Sequence, residues 1–118
     1  MADFGIFIGF GSPRPGREAA ANKVFEEAFA YWTGLQAAGE IESFETVLLE
    51  PHGGDLNGFF LIRGEPERLA RVRMSPEFQR LSNRATAIGE ALGIVTAVLD
   101  AAAIRSVSES YQAIVDLI

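Results

Sequence analysis

The single histidine of this chain, His52, stands in the run Glu50-Pro51-His52-Gly53-Gly54-Asp55. An imidazole beside carboxylates can act as a general base or a proton shuttle. His52 is therefore the one candidate catalytic residue. The competing reading is a solvated turn residue, and it carries more weight because nothing in the sequence marks a partner for the ring. Glu50, His52 and Asp55 could also be taken as metal ligands. They lack the spacing of a helical histidine pair, and a flexible turn does not prebuild the geometry a metal needs. No metal site and no cofactor are expected. The chain has no cysteine, so thiolate ligands and disulfides are excluded.

A second group of residues could bind rather than react. Tyr31 and Trp32 adjoin on a helical stretch, with Trp32 on its apolar stripe. With Phe7, Phe25, Phe29, Phe60, Phe78 and Leu81 they could outline an apolar pocket, and Gly5 and Gly9 would leave room opposite Trp32. Asn57 is a polar candidate beside them. The substrate-binding candidates are thus Trp32, Tyr31, Phe7, Phe29, Phe60 and Asn57. Nine phenylalanines in 118 residues favour such a pocket and equally favour a plain core.

Arginines gather between Arg63 and Arg84, at Arg63, Arg68, Arg71, Arg73, Arg80 and Arg84. They could hold a carboxylate or phosphate. The plainer reading is a wet helix face with charges paired at i, i+3 or i, i+4. Gly9-Phe10-Gly11-Ser12 resembles a fragment of a phosphate loop but lacks the lysine that such a loop requires.

These residues need elements to position them. Phe4–Phe10 predicts a first strand, with Phe4, Ile6, Ile8 and Phe10 on one side and Gly5, Phe7 and Gly9 on the other. Glycines on that second side suggest that a bulky residue or a ligand lies against it. A helix follows from about residue 16 or 17 to Ala38, with Gly39 as its C-terminal cap. Ile41–Glu50 and Leu56–Arg63 form a central hairpin, reversed at Gly53-Gly54. A short helix at Glu67–Arg73 precedes a second one opened by Ser75-Pro76-Glu77, with Ser75 as N-cap and Pro76 in the first turn. Its stripe is Phe78, Leu81, Ala85 and Ile88. Leu92–Leu99 is the fourth strand. Asp100 caps an amphipathic last helix, Ala101–Leu117, with Ile104, Val107, Tyr111, Ile114, Val115 and Ile118 on one side.

The order β-α-β-β-α-β predicts an α+β, ferredoxin-like fold: one domain over 1–118, with its core at 3–99 and a C-terminal helix at 101–117. Right-handed crossovers put both helices of the repeat on one face of a four-stranded antiparallel sheet. Yet the strands are apolar on both faces: Phe7 opposes Ile6, Phe59 and Leu61 oppose Phe60, and Val95 opposes Ile94. A second cover is needed. The last helix could supply part of it, and a second copy of the chain the rest, through a two-fold axis.

The bulk composition excludes other partners. A formal net charge of −6 argues against nucleic acid and against an anionic membrane surface. Met1–Phe10 is short and broken by glycine, so no leader is read there and the cytoplasm is expected.

A chain of this order and length, with Ser75-Pro76-Glu77-Phe78 opening the second helix and Gly93-Ile94-Val95 leading into the last strand, resembles the dimeric α+β barrel superfamily. Similar members include the antibiotic-biosynthesis monooxygenase-like and YCII-related proteins. The resemblance implies paired sheets and a cavity in each subunit between sheet and helices. Its members include cofactor-independent oxygenases, isomerases, haem-degrading enzymes and proteins without known activity, so fold alone does not assign function. The His–Asp pair expected of YCII-related members has no match here in the first strand or helix. Two readings follow. One is a small homodimeric enzyme acting on an aromatic or polycyclic molecule without a cofactor. The other is a non-catalytic module for ligand binding or assembly.

Overall fold

The computed structural model describes residues 4–118. The predicted core limit at residue 3, and the first residues of Met1–Phe10, lie outside them. The elements run β1 (Phe4–Phe10), α1 (Glu18–Ala37), β2 (Ser43–Leu48), β3 (Gly58–Arg63), α2 (Pro66–Met74), α3 (Pro76–Ile88), β4 (Gly93–Val98) and α4 (Ala101–Asp116). The four strands form one antiparallel sheet in the order β2-β3-β1-β4. This is the ferredoxin-like α+β arrangement that the element order predicts.

Local chemistry sets the element ends. α1 closes with a Schellman motif: the Gly39 N–H donates to Gln36 O at 3.1 Å and the Glu40 N–H to Leu35 O at 2.9 Å. Gly39 sits at φ +76°, a value that favours glycine. Between α2 and α3, Pro76 forces Ser75 out of the helical region, to φ −70°, ψ 145°. The Ser75 hydroxyl then serves both helices. It donates to Val72 O at 2.7 Å and accepts from the Phe78 N–H at 3.2 Å.

Side chains at Ile6, Phe60 and Ile62 point from the central strands toward the helices and meet Trp32, Leu69, Val72 and Phe78. Trp32 is 1% exposed and Ile62 fully buried. Each such aliphatic or aromatic burial contributes about 1.5–3 kcal/mol. Thr46, between Phe44 and Leu48 on the helix-facing side of β2, carries a buried hydroxyl without a hydrogen-bond partner among the described residues.

Three expectations change. The β2–β3 connection is a loop over residues 49–57 rather than a tight reversal, and only Gly53 takes a positive φ, +89°. Gly5 and Gly9 face away from Trp32. What lies over them is the protein's own side chains: a Cβ on Gly5 would stand 2.9 Å from Leu99 Cδ1, and one on Gly9 2.9 Å from Leu56 Cδ1 and 2.8 Å from Phe7 Cε1. Finally, α4 does not cover the second sheet face. None of its residues is buried, and the chain extends 50 Å along its longest axis. No helix among the described residues is long and apolar enough to cross a membrane.

Candidate functional site

A cavity of about 360 Å3 lies between α1, α3 and one end of the sheet. Ile8, Phe10, Phe60 and Ile94 form its floor, Ala21, Phe25, Ala28 and Trp32 its α1 wall, and Phe78, Leu81, Ala85 and Ile88 its α3 wall. The α3 wall is the stripe that helical periodicity predicts. The aromatic rings interlock. Phe25 stands 5.4 Å from Phe60 and 6.0 Å from Phe10, and Trp32 5.9 Å from Phe78. The volume falls in the range of small-molecule sites, about 300–1,000 Å3.

The rim is built by backbone. Gly11 N–H donates to Glu90 O at 2.8 Å, Glu90 N–H to Ser12 O at 2.9 Å, and Arg14 N–H to Ile88 O at 2.8 Å. These bonds tie the segment after β1 to the segment after α3. Only glycine fits at position 11, since a Cβ there would stand 2.8 Å from Glu90 O and 2.9 Å from Asp55 O. Ala91 takes a left-handed φ of 56° as the chain turns toward β4, at a cost on the order of 1 kcal/mol. Outside the lining, Arg84 of α3 donates to both carboxylate oxygens of Glu27 on α1. The pair is partly exposed, so it contributes at most about 1 kcal/mol. It links the two helices that wall the cavity.

Polar groups reach the cavity at a few points: Asn22, Asn57, Ser82 and Glu90. The Asn57 amide donates to Ser12 Oγ at 3.1 Å, and its backbone is held by Phe10 O and the Leu49 N–H, both at 2.8 Å. Glu90 is the one ionisable side chain among the described lining residues. The arrangement therefore offers apolar enclosure with hydrogen-bonding groups at its edge. Among the described residues its interior holds no acid–base pair.

The named candidates divide. Trp32, Phe60 and Asn57 line the cavity together, with Phe25, Phe78 and Leu81. Phe7 lies on the opposite sheet face, stacked on Phe59 with ring centroids 5.0 Å apart. Phe29 is 48% exposed and packs edge-on against Phe44 at 5.4 Å. Tyr31 packs on the Trp32 ring but faces a second, shallower depression of about 210 Å3 beside Arg71, Ser75 and Glu77. His52 lies outside the cavity, in the exposed 49–57 loop. Its Nδ1 accepts from the Gly54 N–H at 3.1 Å, so its proton sits on Nε2, which donates to Leu56 O at 2.9 Å. Both ring nitrogens are occupied in holding the loop.

The arginines are dispersed. Arg63 pairs with Glu45 at 2.5 Å, Arg68 donates to Gly39 O at 2.6 Å, and Arg84 binds Glu27. Among the described residues no three His, Asp or Glu side chains are grouped as metal ligands would be. Asn22, Ser82 and Glu90 escaped the sequence reading. A signal for Ser82 was present: it stands four residues after Phe78 and three before Ala85, on the stripe itself.

No protein-family model matches the sequence, and no curated protein matches it either. Solved structures do. A dimeric ferredoxin-like protein of unknown function from Jannaschia sp. CCS1 is 16% identical, with a TM-score of 0.62 over 81% of this chain and 99% of its own. Hydroxynitrile lyase from Passiflora edulis is 11% identical, with a TM-score of 0.62 over 86% of this chain and 97% of its own. A candidate antibiotic biosynthesis monooxygenase from Chloroflexus aurantiacus is 17% identical, with a TM-score of 0.52 over 82% of this chain and 93% of its own. At such identities the likeness speaks to backbone alone, and it places the chain among ferredoxin-like α+β proteins.

Proposed function

We propose that this chain is a homodimeric protein that takes an aromatic or polycyclic small molecule into the cavity between α1, α3 and the sheet. The observation that carries the reading is a cavity of about 360 Å3 whose floor and walls are aromatic and aliphatic, with amide and hydroxyl groups at its edge. Apolar enclosure supplies affinity, and the few polar groups orient the ligand. Of the structural neighbours described above, one is a dimeric ferredoxin-like protein, one a hydroxynitrile lyase and one a candidate monooxygenase. This supports a small-molecule role for the fold and self-association through the uncovered sheet face. With no acid–base pair among the described residues of the cavity interior, binding is the better supported activity. Turnover by acid–base chemistry would rest on Glu90 at the rim or on the ligand's own reactivity.

The chain has one tryptophan, and it lines the cavity. Anilinonaphthalene sulfonate bound there should accept energy from Trp32, saturably and at one molecule per chain. Ala85→Phe fills the α3 wall and should abolish the signal while circular dichroism stays native. Binding that is unaffected by Ala85→Phe would refute the assignment of the cavity as the site.

A further inference from the structure

We infer that the ligand of this cavity is a cationic aromatic: an aryl or polycyclic body carrying an ammonium group, with the rings inside and the charge at the rim beside Glu90. The inference rests on the cavity assignment above and names the charge of what enters it.

A charge on the ligand has to stay at the edge. The floor and walls are aliphatic and aromatic, and an ion carried among them would lose its water without gaining a partner. The polar side chains of the lining are Asn22, Asn57, Ser82 and Glu90.

The edge decides the sign. No lysine, arginine or histidine stands among the described lining residues. The backbone N–H groups that could cradle an anion there are already used. Those of Gly11, Arg14 and Asn57 donate to Glu90 O, Ile88 O and Phe10 O, each at 2.8 Å, and that of Glu90 donates to Ser12 O at 2.9 Å. Acceptors remain. Glu90 is exposed and takes part in no salt bridge among the described residues. The Asn57 amide donates to Ser12 Oγ, which leaves its oxygen to accept. Of the cations next to lining residues in sequence, Arg14 donates to Thr86 O at 3.4 Å, Arg84 binds Glu27, and Lys23 and Arg80 are exposed outside the lining. The net charge of −6 acts in the same direction, drawing cations and repelling anions. A carboxylate beside an ammonium at an exposed edge is a modest attraction. Affinity therefore comes from the rings, and the charge selects among ligands of equal apolar body.

Three probes with one naphthyl body test this: naphthylethylamine, naphthylethanol and naphthylacetate. They are titrated calorimetrically at neutral pH and low salt into the wild-type, Glu90→Gln and Glu109→Gln chains. Glu109→Gln removes the same charge from α4, which contributes no residue to the described lining. The rim bonds of Glu90 are made by its backbone and survive the change to glutamine. The wild-type chain should prefer the amine to the carboxylate. Glu90→Gln should weaken the amine and tighten the carboxylate, each by about threefold or more, and leave the alcohol within about twofold. Glu109→Gln should leave all three within about twofold. Anilinonaphthalene sulfonate enters on its apolar rings against the rim charge, and should bind more tightly to Glu90→Gln. Probes that bind but do not respond to Glu90→Gln, that respond equally to Glu109→Gln, or of which the wild-type chain prefers the carboxylate, overturn the charge selection and leave the cavity assignment standing. Failure of all three to bind, or binding that Ala85→Phe leaves intact, overturns the cavity assignment and this inference with it.

Discussion

Trp32 of α1 and Phe78 of α3 meet between the two cavity walls, with ring centroids 5.9 Å apart and planes inclined at 60°. Both rings are buried, at 1% and 4% exposure. Both rings line the cavity. The same pair therefore contributes to the core and to the site. Core residues of this kind determine how deep a ligand can go, and they cannot be altered for binding without a cost in stability.

Phe78→Ala tests that double role. Removing a buried phenyl ring leaves a space next to an existing cavity, so the surroundings have little to collapse onto. The expected loss is about 3–5 kcal/mol, read from urea denaturation. An apolar ligand that fills the enlarged space should restore part of this by binding only the folded state. A loss below about 1 kcal/mol would mean that the ring is not a packing element of the cavity wall.

His52 gives the opposite expectation. Its two ring nitrogens hold Gly54 N–H and Leu56 O within the exposed 49–57 loop. His52→Ala removes two neutral hydrogen bonds at an exposed position, so the stability change should stay near or under about 1 kcal/mol. Amide hydrogen exchange should quicken at Gly54 and its loop neighbours, while ligand affinity of the cavity stays within twofold. A large fall in affinity or turnover with an unchanged loop would assign the ring a chemical role instead.

What could be read from residue order was the part that local chemistry decides. The Ser75-Pro76 break, the Gly39 cap and the Phe78–Ile88 stripe each depend on a few neighbouring residues, and each stands where it was expected. Strand parity was legible too: Phe4, Ile6, Ile8 and Phe10 share a face in β1. Which face the helices take depends on contacts between distant segments, and here the reading of Phe7 with Gly5 and Gly9 as neighbours of Trp32 parts from the structure. Leu56 and Leu99 are what cover those glycines, and nothing near Gly5 or Gly9 in sequence points to them. The cavity could be guessed from the number of phenylalanines, but its polar edge at Asn22, Ser82 and Glu90 depends on how α1 and α3 pack against each other. The stripe on α4 was legible in its spacing. That it leaves its own sheet bare was not, because an amphipathic pattern states that a cover is needed without naming it.

The bare face carries the last expectation. Leu61 lies beside Phe7 in the β1–β3 register, and Phe7 stacks on Phe59 at 5.0 Å. Val95 on the neighbouring strand is 53% exposed. On the same face Glu45 already neutralises Arg63, so the patch is apolar with one internally paired charge couple. Two copies meeting there across a two-fold axis would bring each Leu61 near its partner's apolar side chains. Leu61→Glu would then place an unpaired carboxylate on each side of a desolvated contact, a substitution that typically costs several kcal/mol. In the isolated subunit the same side chain can reach water, so the fold should survive. The expected result is a rise in the dimer dissociation constant of at least tenfold, about 1.4 kcal/mol, with an unchanged circular dichroism spectrum. Sedimentation equilibrium of the wild-type and Leu61→Glu chains at micromolar concentration decides the matter. Equal dimer populations in the two would mean that the apolar sheet face is not where the copies meet.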